Sequence, residues 1–319
     1  MTVSSVARQL GYALLTMLLV TILVFLALQA LPGDLASQVL GKDATPEAKD
    51  ALRAQLHLDD PGWQRYLSWL GGVLHGDFGH SLVSEKSVLS EVALPLRNSA
   101  VLALIVVVIG VTVAVGLGVI AGLTRGRWPD AVISGVALVA MSVPEFTVAT
   151  LLVLLFAIKL MWFPAVVTDG PTATLSQLLP AMWLPAAALI IAMSSYIIRM
   201  MRTSVIDVMA SDYIAMAGIR GLSRPRILLL HMIPNAILPT LNIIAINIAY
   251  LVGGVVVVEA VFNYPGIGTT LVNAVHVRDL PVLQFVALMS AMLFIVCNLL
   301  ADVAATFLNP RMRTPGRAR

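Results

Sequence analysis

Residues Asn98 to Leu123 read NSAVLALIVVVIGVTVAVGLGVIAGL, a run of 26 residues without a charged side chain. A helix of about 20 apolar residues is long enough to cross the hydrocarbon core of a bilayer. A segment in lipid must also satisfy its own backbone N–H and C=O groups, which a helix does and an open strand does not. The run therefore predicts a membrane-spanning α-helix and an integral membrane fold.

The composition of the whole chain supports the same fold class. Only 12% of its 319 residues are charged, 59% are hydrophobic and the mean hydropathy is +0.93. Soluble domains carry about 25% charged residues, so a soluble chain of this length could not cover its surface. The formal net charge of +3 says little about partners, and the single cysteine, Cys297, excludes an intrachain disulfide.

Six apolar runs are long enough to cross a bilayer, which predicts an all-α integral membrane protein with six transmembrane helices. They cover residues 9–31, 98–123, 131–160, 183–203, 236–259 and 281–308. The third and sixth runs exceed the minimum length, which helices accommodate by tilting. The first run could instead be a cleaved signal peptide, but it is longer than the usual apolar core of roughly 7–15 residues.

The distribution of Lys and Arg predicts that both termini are cytoplasmic. With the N-terminus inside, 12 of the 20 basic residues fall in cytoplasmic segments, in keeping with the positive-inside rule. They are Arg8, Arg125, Arg127, Arg199, Arg202, Arg220, Arg224, Arg226, Arg311, Arg313, Arg317 and Arg319. The long segment 32–97 holds basic residues too, but loops longer than about 60 residues are largely exempt from the rule.

These assignments divide the chain into three parts. Residues 1–97 hold the first helix and the long outer loop, 98–310 form a five-helix core with a cytoplasmic loop at about 204–235, and 311–319 form a basic tail. In the outer loop, Thr45 before Pro46 predicts a helix that ends near Leu56.

A second short helix is predicted for GWQRYLSWLGGVL in the same outer loop. Its aromatic residues suit a membrane interface; they are Trp63, Tyr66 and Trp69. After this helix, His75 and His80 flank Asp77, but histidines five residues apart among glycines are a weak metal signal. We expect a turn there and no metal site.

The cytoplasmic loop contains DYIAMAGIRGLSRPRILLLHMIPNAILP, Asp212 to Pro239. Two amphipathic pieces, Asp207 to Arg220 and a second that begins near Pro225, flank Gly221. Gly221 can adopt the positive φ that ends a helix, and Pro is favoured in a first helical turn. The pattern predicts a helix–turn–helix at the membrane surface, although an ordinary basic juxtamembrane loop would account for the same charges.

This stretch resembles the EAA loop of ATP-binding-cassette importer permeases, where Glu-Ala-Ala precedes a Gly and a later Ile-x-Leu-Pro. Ala217, Gly221 and Pro234 fall in register, whereas Met216 and His231 depart from the pattern, and an alanine replaces the consensus Glu. In that family the loop is a coupling helix held in a cleft of the cytoplasmic ATPase. The resemblance implies a coupling role for Asp212, Ala215, Ala217, Gly221, Leu222 and Pro234.

Further fragments extend the resemblance over nearly the whole chain. It is closest to the first (B-type) membrane subunit of the dipeptide/oligopeptide/nickel class. The fragments are Leu31-Pro32-Gly33-Asp34, Gly76-Asp77-Phe78-Gly79, Ser142-Val143-Pro144, Trp162-Phe163-Pro164, Asp212-Tyr213-Ile214, Val258-Glu259-Ala260-Val261-Phe262, Pro265-Gly266-Ile267-Gly268, Arg278-Asp279-Leu280-Pro281 and Asn309-Pro310-Arg311-Met312-Arg313.

Such a type I importer implies a set of partners in the cytoplasmic (inner) membrane. They are a second homologous permease subunit, two ATPase subunits, an extracytoplasmic substrate-binding protein and membrane lipids. The only Gly-Lys pair, Gly41-Lys42, precedes Asp43, so the sequence has no phosphate-cradling loop. We expect this chain to be non-catalytic, to hold no cofactor and no nucleic acid, and to leave ATP and Mg to the partner subunits.

Polar residues inside the apolar runs are candidates for a translocation path, because ionisable groups in a membrane are costly and often functional. Glu145 follows Pro144, whose kink could open a cavity, and its carboxylate could meet a peptide amino terminus. Asn242 and Asn247 lie in the fifth run, which helps line the pore in the resembled family. Pairing of Glu145 with another helix, and interhelical hydrogen bonds from the asparagines, are the alternatives.

Two further patterns have structural or contact interpretations. Gly116, Gly118 and Gly122 predict close helix packing. Residues 259–280 are predicted to form the last outer loop, with a turn at Pro265 and a charged tip. By the resemblance, the outer gate and the binding-protein contact involve Glu259, Arg278 and Asp279; an ordinary solvated loop is the alternative.

The sequence thus indicates a permease subunit that, with a second membrane subunit, forms a path for di- and oligopeptides delivered by a binding protein. The same architecture could import nickel, opines, glutathione or another small solute. An ATP-independent secondary transporter is an alternative of another class, although no internal inverted repeat is evident. An intramembrane enzyme would need paired groups at depth, and Glu145 and Asp302 are far apart in sequence.

Overall fold

A computed structural model describes residues 3–29, 45–55 and 60–308. All regular structure in these ranges is helical, apart from one isolated bridge between His80 and Ser87. The helices are α1 (Val3–Gln29), α2 (Pro46–Gln55), α3 (Gly62–Leu74), α4 (Val88–Leu123), α5 (Trp128–Ser142), α6 (Glu145–Lys159), α7 (Leu175–Met209), α8 (Asp212–Ile219), α9 (Arg224–Phe262), α10 (Ile267–Val277) and α11 (Leu280–Leu308). The all-α fold class is confirmed.

Several predicted segments fall outside the described residues. They are the fragments Leu31-Pro32-Gly33-Asp34, Gly41-Lys42-Asp43 and Asn309-Pro310-Arg311-Met312-Arg313, and the tail 311–319. The side chain of Asp302 is not described either.

Two membrane helices, α4 and α7, are longer than the apolar runs 98–123 and 183–203 that predicted them. α4 begins at Val88, not at residue 98, and contains Pro95. Arg97, which marked the end of the apolar run, is stabilised inside the helix because its guanidinium donates to the Ala173 carbonyl at 2.9 Å. The boundary placed between residues 97 and 98 therefore divides a continuous helix.

The third membrane span is two helices and not one kinked helix. α5 and α6 meet at an angle of 109° across Val143 and Pro144. The residue before a proline avoids the helical region, and Val143 accordingly adopts φ −103° and ψ 127°. Val143 and Pro144 thus break the span into two helices.

α7 is the central helix of the bundle. In its most apolar 18-residue window 61% of residues are buried, against 11% for α1. It lies so close to α4 that a Cβ on Gly118 would come within 2.6 Å of Met201 Cβ, and one on Gly122 equally close to Val205. The predicted close packing is confirmed at these two glycines but wrong for Gly116, where a Cβ would meet no atom within 4 Å.

The direction in which α7 packs against α4 determines how the chain between them crosses the membrane. Gly118 faces Met201 and Gly122 faces Val205, so the two helices run parallel. The chain between two parallel membrane helices must return across the membrane. Asp130 at the start of α5 pairs with Arg202 near the end of α7, whereas Val167, beyond α6, bonds to Phe262 at the far end of α9. The broken pair α5–α6 is therefore one span.

Within the described residues, five unbroken apolar helices and this broken pair give six spans. α1 ends beside α3 on the face where α9 ends and α11 begins, because Phe25 makes an edge-to-face contact with Tyr66 and the Ser81 hydroxyl donates to Asp279. Val3 and Leu308, the other ends of α1 and α11, lie at the opposite face, where α8 also lies. The assignment of that face to the cytoplasm stays a prediction.

The helices predicted in the long outer loop are present. The Ala48 N–H donates to Thr45 Oγ1 at 3.3 Å, so Thr45 caps α2. Tyr66 and Trp69 of α3 contact Phe25 of α1 instead of standing free at a membrane interface, and Tyr66 Oη lies 2.8 Å from Thr21 Oγ1. Trp63 remains 63% exposed, as an interfacial residue would be.

Candidate translocation path and coupling segment

A cavity of about 520 Å³ opens where the broken span faces α7 and α9. Glu145 and Asn247 both line it, so two of the three predicted path residues come together. Asn242 is exposed and is not part of this lining. Because Asn242 lies five residues before Asn247, and a helix turns 100° per residue, the two side chains point in different directions.

Glu145 holds its position because of the break in the span. It is the first residue of α6, half-buried, and the only charged one among the described residues that line the cavity. On the opposite wall Gly254 leaves room for it, since any Cβ there would overlap the Glu145 carboxylate. No ion pair or hydrogen bond of the Glu145 side chain is found within the described part of the chain, so the carboxylate is available to a ligand.

The sequence alone did not single out the aromatic wall of this cavity. Tyr196 of α7 and Tyr250 of α9 line it and are 47% and 68% exposed. The polar triplet Ser194-Ser195-Tyr196 inside an apolar run was the available signal, but only Tyr196 of the three faces the cavity; Ser194 and Ser195 are buried.

A second cavity of about 590 Å³ lies between the start of α5 and the last third of α7. Its floor is an ion pair in which Arg202 Nε and Nη2 donate to the two oxygens of Asp130 at 2.5 and 2.8 Å. The Gly126 N–H and the Ser134 hydroxyl also donate to Asp130. This pair, which the sequence analysis did not predict, ties the broken span to the central helix.

At the opposite end of the bundle, the Glu259 side chain is buried and connects helices through hydrogen bonds. It is not part of an exposed loop. Its side chain is 0% exposed and accepts hydrogen bonds from Ser99 Oγ at 2.5 Å and the Gly268 N–H at 2.7 Å. Gly266 packs against the same carboxylate, leaving no room for a Cβ. Glu259 thus joins α4, α9 and the start of α10. Its carboxylate is not accessible for the predicted contact with a binding protein, whereas its role at the outer gate stays a prediction.

The predicted charged tip is also corrected. The segment after Glu259 contains the helix α10, and Asp279 beyond it is 3% exposed. Asp279 accepts hydrogen bonds from Ser81 Oγ and from the Leu82 N–H, so it fastens the 81–82 turn to the start of α11. Arg278 is half-buried with φ +55° at the end of α10; its contact with a binding protein stays a prediction.

The coupling segment forms a short helix, but with different bounds from the predicted piece Asp207–Arg220. α7 continues to Met209, and α8 begins only after Ser211, whose hydroxyl donates back to Val208. Gly221 has φ +78°, the left-handed conformation expected of it. The second piece begins at Arg224 and is the first part of α9, which continues through a π-helical stretch at Leu228–Met232 to Phe262.

One face of α8 is buried and the other is exposed. Ile214 and Ala217 pack against Met201 and Val205 of α7 and Met232 of α9, so α8 is attached to two membrane helices at once. On the other side Ile219 is 78% exposed and Met216 49%. Of the remaining predicted coupling residues, Asp212, Ala215, Gly221 and Pro234 are exposed and Leu222 is half-buried.

Comparisons with known proteins agree with this architecture. Residues 114–314 match the family described as "Binding-protein-dependent transport system inner membrane component", and residues 2–88 match the N-terminal region of such components. The chain therefore belongs to the family of binding-protein-dependent transport system inner membrane components. It is a multi-pass inner-membrane permease of the ATP-binding-cassette type, as the resemblance implied.

Relatives match over almost their full length. A protein of Brucella melitensis, provisionally named a peptide transport system permease protein, is 35% identical over 98% of this chain and 99% of its own length. The glutathione transport system permease protein of Escherichia coli strain K12 is 34% identical over 93% of this chain and 95% of its own. Membership in a binding-protein-dependent system removes the alternative of a self-sufficient secondary transporter.

Proposed function

We propose that this chain is the non-catalytic, path-forming subunit of an ATP-driven importer of di- and oligopeptides. It works with a second homologous permease subunit, two ATPase subunits and an extracytoplasmic substrate-binding protein. ATP and Mg are bound by the ATPase subunits, and this chain holds no cofactor of its own.

The cavity at the broken span carries the proposal. A transported peptide brings a cationic amino terminus, and a half-buried carboxylate in an otherwise uncharged cavity is a suitable counter-charge, because charge-assisted hydrogen bonds are the stronger ones. The similarity to a chain named for peptide transport supports the same substrate class. The cavity volume of about 520 Å³ falls within the usual range for small-molecule sites, roughly 300–1,000 Å³.

The attachments of α8 suggest how ATP-driven motion reaches the cavity. α8 packs on α7 and α9, and both of these helices line the cavity. Closure of the ATPase dimer would move α8, and with it the two walls of the path, so that the cavity alternates between the two sides of the membrane. A packed interface transmits such motion because it is bistable and does not deform continuously.

Glutathione is the second candidate substrate. It is favoured by one observation, the 34% identity over 93% of this chain with permeases named for glutathione transport. Glutathione also carries an amino group, so the role proposed for Glu145 would be unchanged.

The test is reconstitution of the chain with its neighbouring subunits, followed by measurement of ATP hydrolysis. We expect binding protein loaded with di- or oligopeptides to stimulate hydrolysis several-fold over unloaded binding protein. Stimulation by glutathione alone would select the second candidate. Failure of the chain to co-purify with an ATPase, or hydrolysis that no peptide changes, would contradict the proposal.

A further inference from the structure

The two cavities follow one another along the same face of α7, opposite the broken span, and we call this face with the two cavities the trough. On α7, Leu189 and Tyr196 line the first cavity, and Arg199 and Thr203 line the second. Spacings of three, four and seven residues place side chains on one face of a helix, so these residues form one row.

α5 likewise contributes neighbouring residues to the opposite walls of the two cavities. Met141 of α5 lines the first cavity, and Leu138, three residues earlier, lines the second. Arg199 connects the two, since its Nη1 lies 3.5 Å from Met141 Sδ. Arg199 thus stands where the cavity that contains Glu145 passes into the second cavity.

Arg199 differs from the other arginines of the second cavity. Arg202 is committed to Asp130 by two hydrogen bonds, and Arg127 lies in the turn before α5. Arg199 is exposed, and no carboxylate pairs with it in the part of the chain that the structure describes. Its guanidinium retains a fork of N–H donors whose geometry fits a carboxylate.

The spacing suits a peptide. From Leu189 to Arg199 the row covers ten residues of α7, or about 15 Å of helix axis. An extended peptide advances at most about 3.3–3.6 Å per residue, so some four residues span that length. Glu145 lines the first cavity and Arg199 the second, so a peptide that extends along this row would meet an anionic group in one cavity and a cationic group in the other.

We propose that Arg199 is a second recognition residue of the path, which binds the free C-terminal carboxylate of the transported peptide. This inference rests on the proposed peptide import. The inference also gives the bound peptide a direction. Its amino terminus would face Glu145, and its carboxylate would face Arg199 and the end of the trough nearer α8.

The experiment measures ATP-dependent peptide uptake into proteoliposomes that contain the complete importer. Each peptide is supplied with a free C-terminus and as the C-terminal amide, and only peptides that the binding protein binds in both forms are used. Since the binding protein is the same in every arm, a change in the preference between the two forms reports on the permease. Co-purification of the ATPase subunits verifies the assembly of each variant.

Arg199→Gln should lower uptake of the free-carboxylate peptide about tenfold, because a hydrogen bond to a charged group is lost, and should leave the amide nearly unchanged. Arg199→Lys should restore part of the preference, since it keeps the charge without the fork. Arg125→Gln, in an exposed arginine outside both cavity linings, is the matched control and should behave as wild type.

The outcomes separate this inference from the proposed function. If wild-type importer takes up peptides and Arg199→Gln keeps the wild-type preference, or lowers both peptide forms equally, the inference is wrong while peptide import stands. If the wild-type importer takes up no peptide of either form, the proposed function fails and the inference fails with it.

Discussion

At the scale of single residues, the position of each acidic group decides what it can do. Glu145, Asp130 and Glu259 all lie within membrane spans. Asp130 forms an ion pair with Arg202, and the Glu259 side chain is enclosed by Ser99, Gly266 and Gly268. Only Glu145 faces a cavity without a partner from the described residues, so it is the acidic group that can meet a substrate.

Replacing Glu145 by Gln should therefore impair recognition of a cationic amino terminus. Loss of one charge-assisted contact should reduce uptake of peptides with a free amino terminus about tenfold, and uptake of their N-acetylated forms much less. Uptake of both forms by the reconstituted importer measures this. Asn242→Ala, an exposed polar residue outside the cavity, is the control. An unchanged rate and affinity for Glu145→Gln would remove this residue from the path.

At the scale of helices, the approach of α4 to α7 depends on two glycines with a third as an internal control. Ala is preferred to Gly in a helix by about 1 kcal/mol, so Gly116→Ala, into open space, should be neutral or slightly stabilising. At Gly118 a Cβ would lie 2.6 Å from Met201 Cβ and 3.0 Å from the Ile198 carbonyl oxygen. Forcing such contacts costs about 1–3 kcal/mol.

We therefore expect Gly118→Ala to lower the thermal stability of the purified permease in detergent, whereas Gly116→Ala keeps or raises it. The midpoint of thermal unfolding, followed by size-exclusion chromatography after heating, gives the comparison. Equal midpoints for the two variants would mean that α4 and α7 are not held at the distance seen here.

The turn after α8 gives a second prediction at this scale. Gly221 has φ +78°, a conformation that is strained for a branched side chain, whereas Gly218 in α8 does not have a positive φ and has open space around its Cβ position. Gly221→Val should displace the exposed face of α8 and strongly reduce stimulation of ATP hydrolysis by loaded binding protein, while Gly218→Ala should not.

The stimulated and basal ATPase rates of the two variants, measured side by side, check this prediction. Full stimulation with Gly221→Val would show that the turn is not part of the coupling contact. An equal loss for both variants would point to general damage to the segment instead.

The sequence predicted the elements of the fold better than their ends and contacts. Runs such as 98–123 identify membrane helices because apolar length is a direct requirement of the bilayer. The extension of α4 to Val88 places Arg97 inside the helix, where it bonds to the Ala173 carbonyl, a tertiary contact 76 residues away in the chain that the sequence does not reveal. Pro144 indicated the break at Val143, but the sequence pattern did not give the angle of 109° between α5 and α6.

The candidate site was predicted only in part, because tertiary contacts also decide which polar residues face a cavity. Glu145 and Asn247 were found because polar groups stand out in apolar runs, and the structure brings them to one cavity. Glu259 stands out in the same way, yet Ser99 and Gly268 bury it. Polarity in a membrane helix marks a residue as important without saying whether a ligand or the protein itself satisfies it.

At the scale of the whole molecule, the parallel arrangement of α4 and α7 requires the chain to cross the membrane six times. Reporter domains fused at each terminus should therefore both be found on the same side, and the positive-inside rule predicts the cytoplasmic side. Accessibility of the two reporters to protease in sealed inside-out vesicles provides the measurement. Reporters on opposite sides would mean that α5 and α6 re-enter the membrane without crossing it.

During transport we expect the trough between the broken span and α7 to open to alternate sides of the membrane. The most direct test is labelling of Tyr196→Cys, in a Cys297→Ser background, by a membrane-impermeant thiol reagent added to either side of the reconstituted importer. Ser195→Cys, at a position that is 1% exposed, is the matched control and should stay unlabelled. We expect Tyr196→Cys to react from the cytoplasmic side without nucleotide, and from the opposite side with binding protein and a non-hydrolysable ATP analogue. Labelling from the same side in both states, or from neither side in any state, would contradict the account.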